Sequence, residues 1–152
     1  MWYIRAKHQV KEIDFEEDSN DAEAAESVFR ASNIRCDSTK NITHVAKEND
    51  DVIGAVSSGW CYGENYEGKG VAIFSFDLAV DKQHRKKGVG KSLIEAAIRY
   101  YNDTKEAYAG VDGYSMIRIW VVNPHLFSTL ENFGFELESM HAGDSAHYVR
   151  YG

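Results

Sequence analysis

Residues Phe74 to Lys91, FSFDLAVDKQHRKKGVGK, combine the residue types needed to hold a phosphate. Lys82, Arg85, Lys86, Lys87 and Lys91 gather positive charge in a chain whose formal net charge is −7. Gly88 and Gly90 remove side chains where an anion must come close to the backbone. The chemistry these residues imply is electrostatic: cations and backbone N–H groups converging on a pyrophosphate. A basic loop ahead of a helix is also what a solvated turn looks like, so the flanking elements decide between the two.

Those elements follow from periodicity. Phe74, Phe76, Leu78 and Val80 alternate with Ser75, Asp77 and Ala79, the period of a strand. From Gly88 the period changes. Val89, Leu93, Ala96, Ala97 and Tyr100 fall at helical spacing, which predicts a helix from about Val89 to Asp103. The first turn of such a helix presents N–H groups without an intrahelical acceptor, and the macrodipole adds positive potential there. Gly90-Lys91-Ser92 has the look of the end of a P-loop, but that motif needs a glycine where Arg85 stands. The later strand Ile117 to Val122 also runs into Asn123, with no Asp suited to magnesium.

The spacing Arg85-x-x-Gly88-x-Gly90, preceded by Leu78-Ala79-Val80, resembles the acyl-CoA pyrophosphate loop of the GNAT superfamily of N-acyltransferases. A second segment strengthens the resemblance. Asn123 ends a strand, Pro124 follows, and Gly134-Phe135 closes the next short helix, as in that family. Local physics agrees: Asn is a good N-cap, proline suits the first helical position, and glycine suits a helix stop. The resemblance covers roughly residues 43 to 151. It implies a single domain over residues 1–152 of α/β class, with a mixed, mostly antiparallel sheet flanked by helices. In that fold a splayed central strand pair holds CoA.

The resemblance also implies roles. Leu78, Ala79 and Val80 would offer backbone amides to the pantetheine arm and the thioester carbonyl. Arg85, Lys86, Lys87, Gly88, Val89, Gly90 and Lys91 would hold the pyrophosphate of acetyl-CoA, the co-substrate. Asn123 would contact the pantetheine arm. The implied activity is acetyl transfer to an amine, of a small molecule or of a peptide. The alternative is a CoA-binding or regulatory module of the same fold without turnover. Two departures matter. Many members carry a Tyr seven residues after the Asn, and here Leu130 stands there. Members that place a base on the strand use positions that here are Phe76 and Phe74. Asp77 is the one titratable group on this strand, of opposite parity, and is the candidate base; capping or ordering a neighbouring loop is its other reading. Ser128 is a further hydroxyl on the helix that carries Leu130, more simply read as solvated.

The rest of the chain supplies the frame. Met1 to Lys7 and part of Val10 to Asp18 read as strand, Asp21 to Ser32 as a helix capped by Asn20 or Asp21. Thr43 to Lys47 and Val52 to Tyr62 read as a hairpin, and Gly63 to Gly70 as a loop. Thr104 to Tyr114 reads as an irregular surface insertion, Ser115 to Val122 as a buried strand, and Phe135 to Met140 with Ala146 to Tyr151 as a closing hairpin. The resemblance implies an acceptor cleft lined by Phe29, Trp60, Tyr62, Tyr66, Phe74 and Tyr148, although aromatic side chains at strand spacing are more often core. The two cysteines, Cys36 and Cys61, and the six histidines show no ligand spacing, so no metal site is expected. With 152 residues, no long apolar run and no secretory signal pattern, a cytoplasmic protein with free thiols is expected. Acidity disfavours nucleic acid and favours a cationic acceptor; a homodimer stays open.

Overall fold

The computed structural model describes residues 8–32, 42–64, 70–85, 88–110, 113–121, 124–141 and 145–151. The element order is β1 (His8–Ile13), α1 (Ser19–Ala31), β2 (Ile42–Glu48), β3 (Asp51–Glu64), β4 (Gly70–Val80), α2 (Val89–Ala109), β5 (Ser115–Val121), α3 (Phe127–Asn132), β6 (Glu136–Met140) and β7 (Ala146–Tyr151). The strands form a seven-stranded sheet in the order β1-β2-β3-β4-β5-β7-β6. The β1–β2, β2–β3, β5–β7 and β6–β7 pairings are antiparallel, and β4–β5 is parallel. The fold is the α/β arrangement expected, with its mixed, mostly antiparallel sheet. The parallel ladder joins Ala72, Ile73 and Phe74 to Ser115, Met116 and Ile117.

The chain forms two compact units, residues 1–58 with 76–100, and residues 59–75 with 101–152. In the first, Ala22, Ala25 and Phe29 of α1 pack on Ile13, Val45, Ala55 and Ala79. Asp21 anchors this helix through Lys11 at 2.8 Å and Lys47 at 3.0 Å. The hydrogen bond from Lys11, and after it that from Lys47, holds the Asp21 carboxyl below its usual range. The residue ahead of α1 is Asp18, where Asn20 or Asp21 was expected as the cap. Asp14 organises the entry instead, its carboxylate accepting from the Glu16 and Glu17 amides at 2.8 and 3.1 Å.

One irregularity in this unit governs the rest. Ala46 pairs with Gly54 and Lys47 with Val52, so Ile53 is an extra residue in β3, a β-bulge. The Ile53 carbonyl accepts from the Asp81 amide at 2.8 Å, just past the end of β4. Next to it, Gly54 lies under α2. A Cβ there would stand 3.0 Å from both Leu93 Cδ1 and Val89 Cγ1, and 3.2 Å from the Ala79 carbonyl. Val89, Leu93, Ile94 and Ala97 of α2 are buried over this region.

In the second unit an aromatic cluster corrects the expected insertion at Thr104 to Tyr114. The helix does not stop near Asp103; α2 runs to Ala109 and ends at Gly110, whose φ is +82°. Trp60 is the reason. Its ring stacks on Tyr101 (5.3 Å, 19°) and on Tyr108 (5.0 Å, 11°), and its indole N–H donates to Thr104 Oγ1 at 2.9 Å. Residues 101, 104 and 108 share one helical face. Tyr62 donates to the Tyr108 carbonyl at 3.0 Å. The polar, glycine-bearing sequence reads as loop because this support comes from far along the chain. Pro124 opens a short 3-10 turn to Leu126, and α3 starts only at Phe127, one turn later than expected. Gly134, with φ of +86°, ends that helix as expected. Tyr66 and Met1 to Lys7 lie outside the described residues.

The crowding at Gly54 yields a prediction. Gly54→Ala should destabilise the protein by about 1–3 kcal/mol, the usual effect of overpacking, and Gly54→Val by more. Thermal unfolding checks this; unchanged melting temperatures for both variants would show that α2 does not press on β3 here.

Candidate functional site

The cradle residues belong to the first unit, and their placement begins at the end of β4. Phe76, Leu78 and Ala79 are buried, Asp77 and Val80 half-buried. Strict alternation therefore ends at Leu78, and Ala79 turns into the core under α1. Asp77 sits between two buried apolar neighbours. Burial raises its carboxyl above the usual carboxylate range. A raised carboxyl has the shift that an acid–base role requires, although burial alone produces the same shift.

Beyond Val80 the chain makes a braced turn. Asp81 is pinned to Ile53, and Lys82 to His84 form a 3-10 turn closed by the His84 amide donating to the Asp81 carbonyl at 2.8 Å. The His84 ring lies 2.8 Å from the Asp81 carboxylate and 3.5 Å from that of Glu48. Arg85 Nε donates back to the Val80 carbonyl at 3.3 Å, which leaves the side chain exposed beside the strand end. Lys86 and Lys87 lie outside the described residues, as does Asn123.

Gly88 then turns the chain into α2 with φ of +80°, a conformation that side-chain-bearing residues rarely adopt, and a Cβ there would meet nothing within 4 Å. The space immediately beside the Gly88 Cα is thus open among the described residues. Val89 points inward and is buried, whereas Lys91 is exposed. Ser92 locks the turn: its amide and its hydroxyl both donate to the Gly88 carbonyl, at 3.1 and 3.0 Å. Ser92 Oγ also shares a hydrogen bond with His8 Nε2 at 2.8 Å. The first strand thereby holds the start of α2. The amides of that first turn have no acceptor within their own helix and carry the positive end of a 21-residue dipole. Together with Arg85, Lys82 and Lys91, this fits a pyrophosphate.

Sequence reasoning named Gly88, Gly90 and the cations but missed the parts that hold them: Ile53, Gly54, His8, and the Asp81–His84–Glu48 brace. Only Gly54 leaves a sequence signal, a glycine inside an apolar strand run. Of the proposed cleft residues, Phe29, Phe74 and Tyr148 are core, Trp60 is half-buried in the stack, and Tyr62 is 70% exposed. Leu130 is buried, so the position of the usual tyrosine is a packing site. Ser128 is exposed.

Comparison with known proteins agrees with this fold. The structure is similar to that of Naa50 from Arabidopsis thaliana in complex with the bisubstrate analogue CoA-Ac-MVNAL, with a TM-score of 0.64 and 15% identity over 95% of this chain and 98% of that one. It is similar to an aminoglycoside acetyltransferase from an uncultured soil metagenomic sample, in complex with sisomicin, with a TM-score of 0.57 and 19% identity over 88% and 93% of the two chains. A Pyrococcus horikoshii structure matches with a TM-score of 0.55 and 23% identity, over 72% of this chain and 64% of that one. At these identities the likeness speaks for the fold. Among curated proteins no sequence relative is found. Residues 7–118 match the acetyltransferase (GNAT) family, and the chain belongs to that family.

Proposed function

We propose that this GNAT acetyltransferase is an N-acetyltransferase that moves the acetyl group of acetyl-CoA to an amine, and that residues 1–152 act as one catalytic domain. The observation that carries the reading is the glycine turn at Gly88 into α2, open beside its Cα, with Arg85 just ahead of it and Lys91 in the first turn of the helix. Arg85, Lys86, Lys87, Gly88, Val89, Gly90 and Lys91 hold the pyrophosphate. The backbone of Leu78, Ala79 and Val80 meets the pantetheine arm, and an N–H there polarises the thioester carbonyl. Asn123 contacts the same arm.

The transfer asks little of the protein. Acetyl-CoA supplies an activated acyl group; the amine nitrogen forms a bond to its carbonyl carbon as the C–S bond breaks. The nitrogen must lose a proton. Asp77, with its carboxyl raised by burial, is the group on β4 suited to take it. The thiolate takes its proton from water, because Leu130 is an apolar, buried side chain. The net charge of −7 favours a cationic acceptor and disfavours nucleic acid. The relatives' ligands, a peptide-bearing analogue and an aminoglycoside, span the acceptor classes considered. Among the described residues no helix is long and apolar enough to cross a membrane. Leu130, together with Phe74 and Phe76 at the positions of the family's base, favours the second reading, a CoA-binding module without turnover.

Isothermal titration with acetyl-CoA, followed by thiol release with and without an amine panel, tests the proposal. Saturable binding with amine-dependent release is expected; binding without release across the panel would favour the second reading, and no binding would overturn the cradle.

Two variants sharpen this. Gly88→Asp should abolish acetyl-CoA binding, while Gly88→Ala should only weaken it. Asp tolerates a positive φ better than Ala does, so a larger loss with Asp isolates charge repulsion from backbone strain. Equal losses would remove the phosphate from this position.

Asp77→Asn should lower the acyl-transfer rate by about 10²–10⁴-fold with acetyl-CoA affinity kept. The same variant has a stability signature. Because the folded-state pKa is raised, the protonated form stabilises the fold below about pH 3.8, and that contribution is lost as pH rises through the folded value. The variant should therefore gain stability over the parent as pH rises, reaching a plateau above it. A pH-independent difference would sink the buried-carboxyl account.

A further inference from the structure

Away from the cradle, the β6–β7 hairpin brings together two histidines that are unremarkable in the sequence. His141 follows the last residue of β6, and His147 lies on β7 opposite Ser139. Their rings meet edge to face at 4.7 Å and 85°, with His141 Nε2 2.7 Å from His147 Nδ1. Ser139 Oγ lies 3.2 Å from the first nitrogen and 3.5 Å from the second. The His141 amide donates to the Ser145 carbonyl at 2.8 Å, which fixes the base of the turn.

From this convergence we infer that His141 and His147, assisted by the Ser139 hydroxyl, form a clip for a borderline divalent transition metal such as Zn²⁺ or Cu²⁺. The hydrogen bond between the two ring nitrogens at 2.7 Å holds one bridging proton, and a metal takes its place. Metal–nitrogen bonds of about 2.0–2.1 Å at a tetrahedral angle need the nitrogens about 3.3 Å apart, so a small ring rotation suffices. Imidazole selects such metals over Mg²⁺ and Ca²⁺, which want oxygen ligands.

The surroundings permit it. His147 is held below its ordinary value by burial first, then by Arg118 and His141, with Glu138 opposing. Arg118 does not stand as an open cation beside the clip, because it pairs with Glu138 at 2.9 Å. Among the described residues no third His, Cys, Asp or Glu joins the pair.

Trp120 lies 6.4 Å from the His147 ring and is 62% exposed, which provides an optical readout. The test uses the full chain without an affinity tag: calorimetric titration with Zn²⁺, and Cu²⁺ quenching of tryptophan fluorescence, at pH 7.5. One equivalent of each metal should bind saturably. His141→Ala and His147→Ala should each weaken binding at least tenfold, and His125→Ala should not. Affinity should fall steeply as pH drops through the imidazole range. Trp120→Phe should lose most of the Cu²⁺ quenching while keeping Zn²⁺ binding. Unsaturable binding, or binding that survives His141→Ala unchanged, would overturn the site. His141 is exposed, so its variant keeps the test valid if His147→Ala does not fold.

Discussion

The bulge at Ile53 and Gly54 is the constraint on which the rest of the first unit depends. An extra residue in β3 does two things at once. It turns the Ile53 carbonyl to the amide of Asp81, fixing where β4 ends. It also presents a bare Cα to α2, so Val89 and Leu93 come down onto the sheet. The strand end and the helix start are thus set by adjacent residues of one neighbouring strand. A loop spanning two fixed points needs no rigidity of its own, and a lysine-rich sequence can occupy it.

This division of labour suits an electrostatic site. Helix dipole, first-turn amides and cations act on a phosphate only if they are aimed before it arrives. Aim here comes from hydrogen bonds and packing: Ser92 to Gly88, His8 to Ser92, and the contacts under Gly54. Lys82, Arg85 and Lys91 remain exposed. Asp77 follows a different rule. Its neighbours Phe76 and Leu78 withhold solvent, and the carboxyl responds by holding its proton more tightly.

Much of this was legible in the chain. Alternation and helical spacing gave the element order, and the glycine and cation spacing after Val80 pointed to the family. What escaped reading was whatever depended on partners distant in sequence. Gly54 looks like any strand glycine until α2 is laid over it. His8 and Ser92 are 84 positions apart. His141 and His147 show no ligand spacing because a hairpin, and not a helix turn, brings them together. The strand before the cradle was read as evenly alternating, yet Ala79 is buried along with Leu78, because Ala79 joins the cluster under α1.

The last turns of α2 bear on how such a chain drifts over generations. By composition the stretch after Asp103 resembles a surface insertion, the kind of segment where lengths change freely among relatives. The Trp60 stack removes that freedom. A residue added or lost between Tyr101 and Tyr108 would rotate one ring off the indole and carry Thr104 away from its nitrogen. Charges on the outer side of these turns can be exchanged at little cost, but their number of residues cannot, so this apparent loop should vary in sequence while keeping its length.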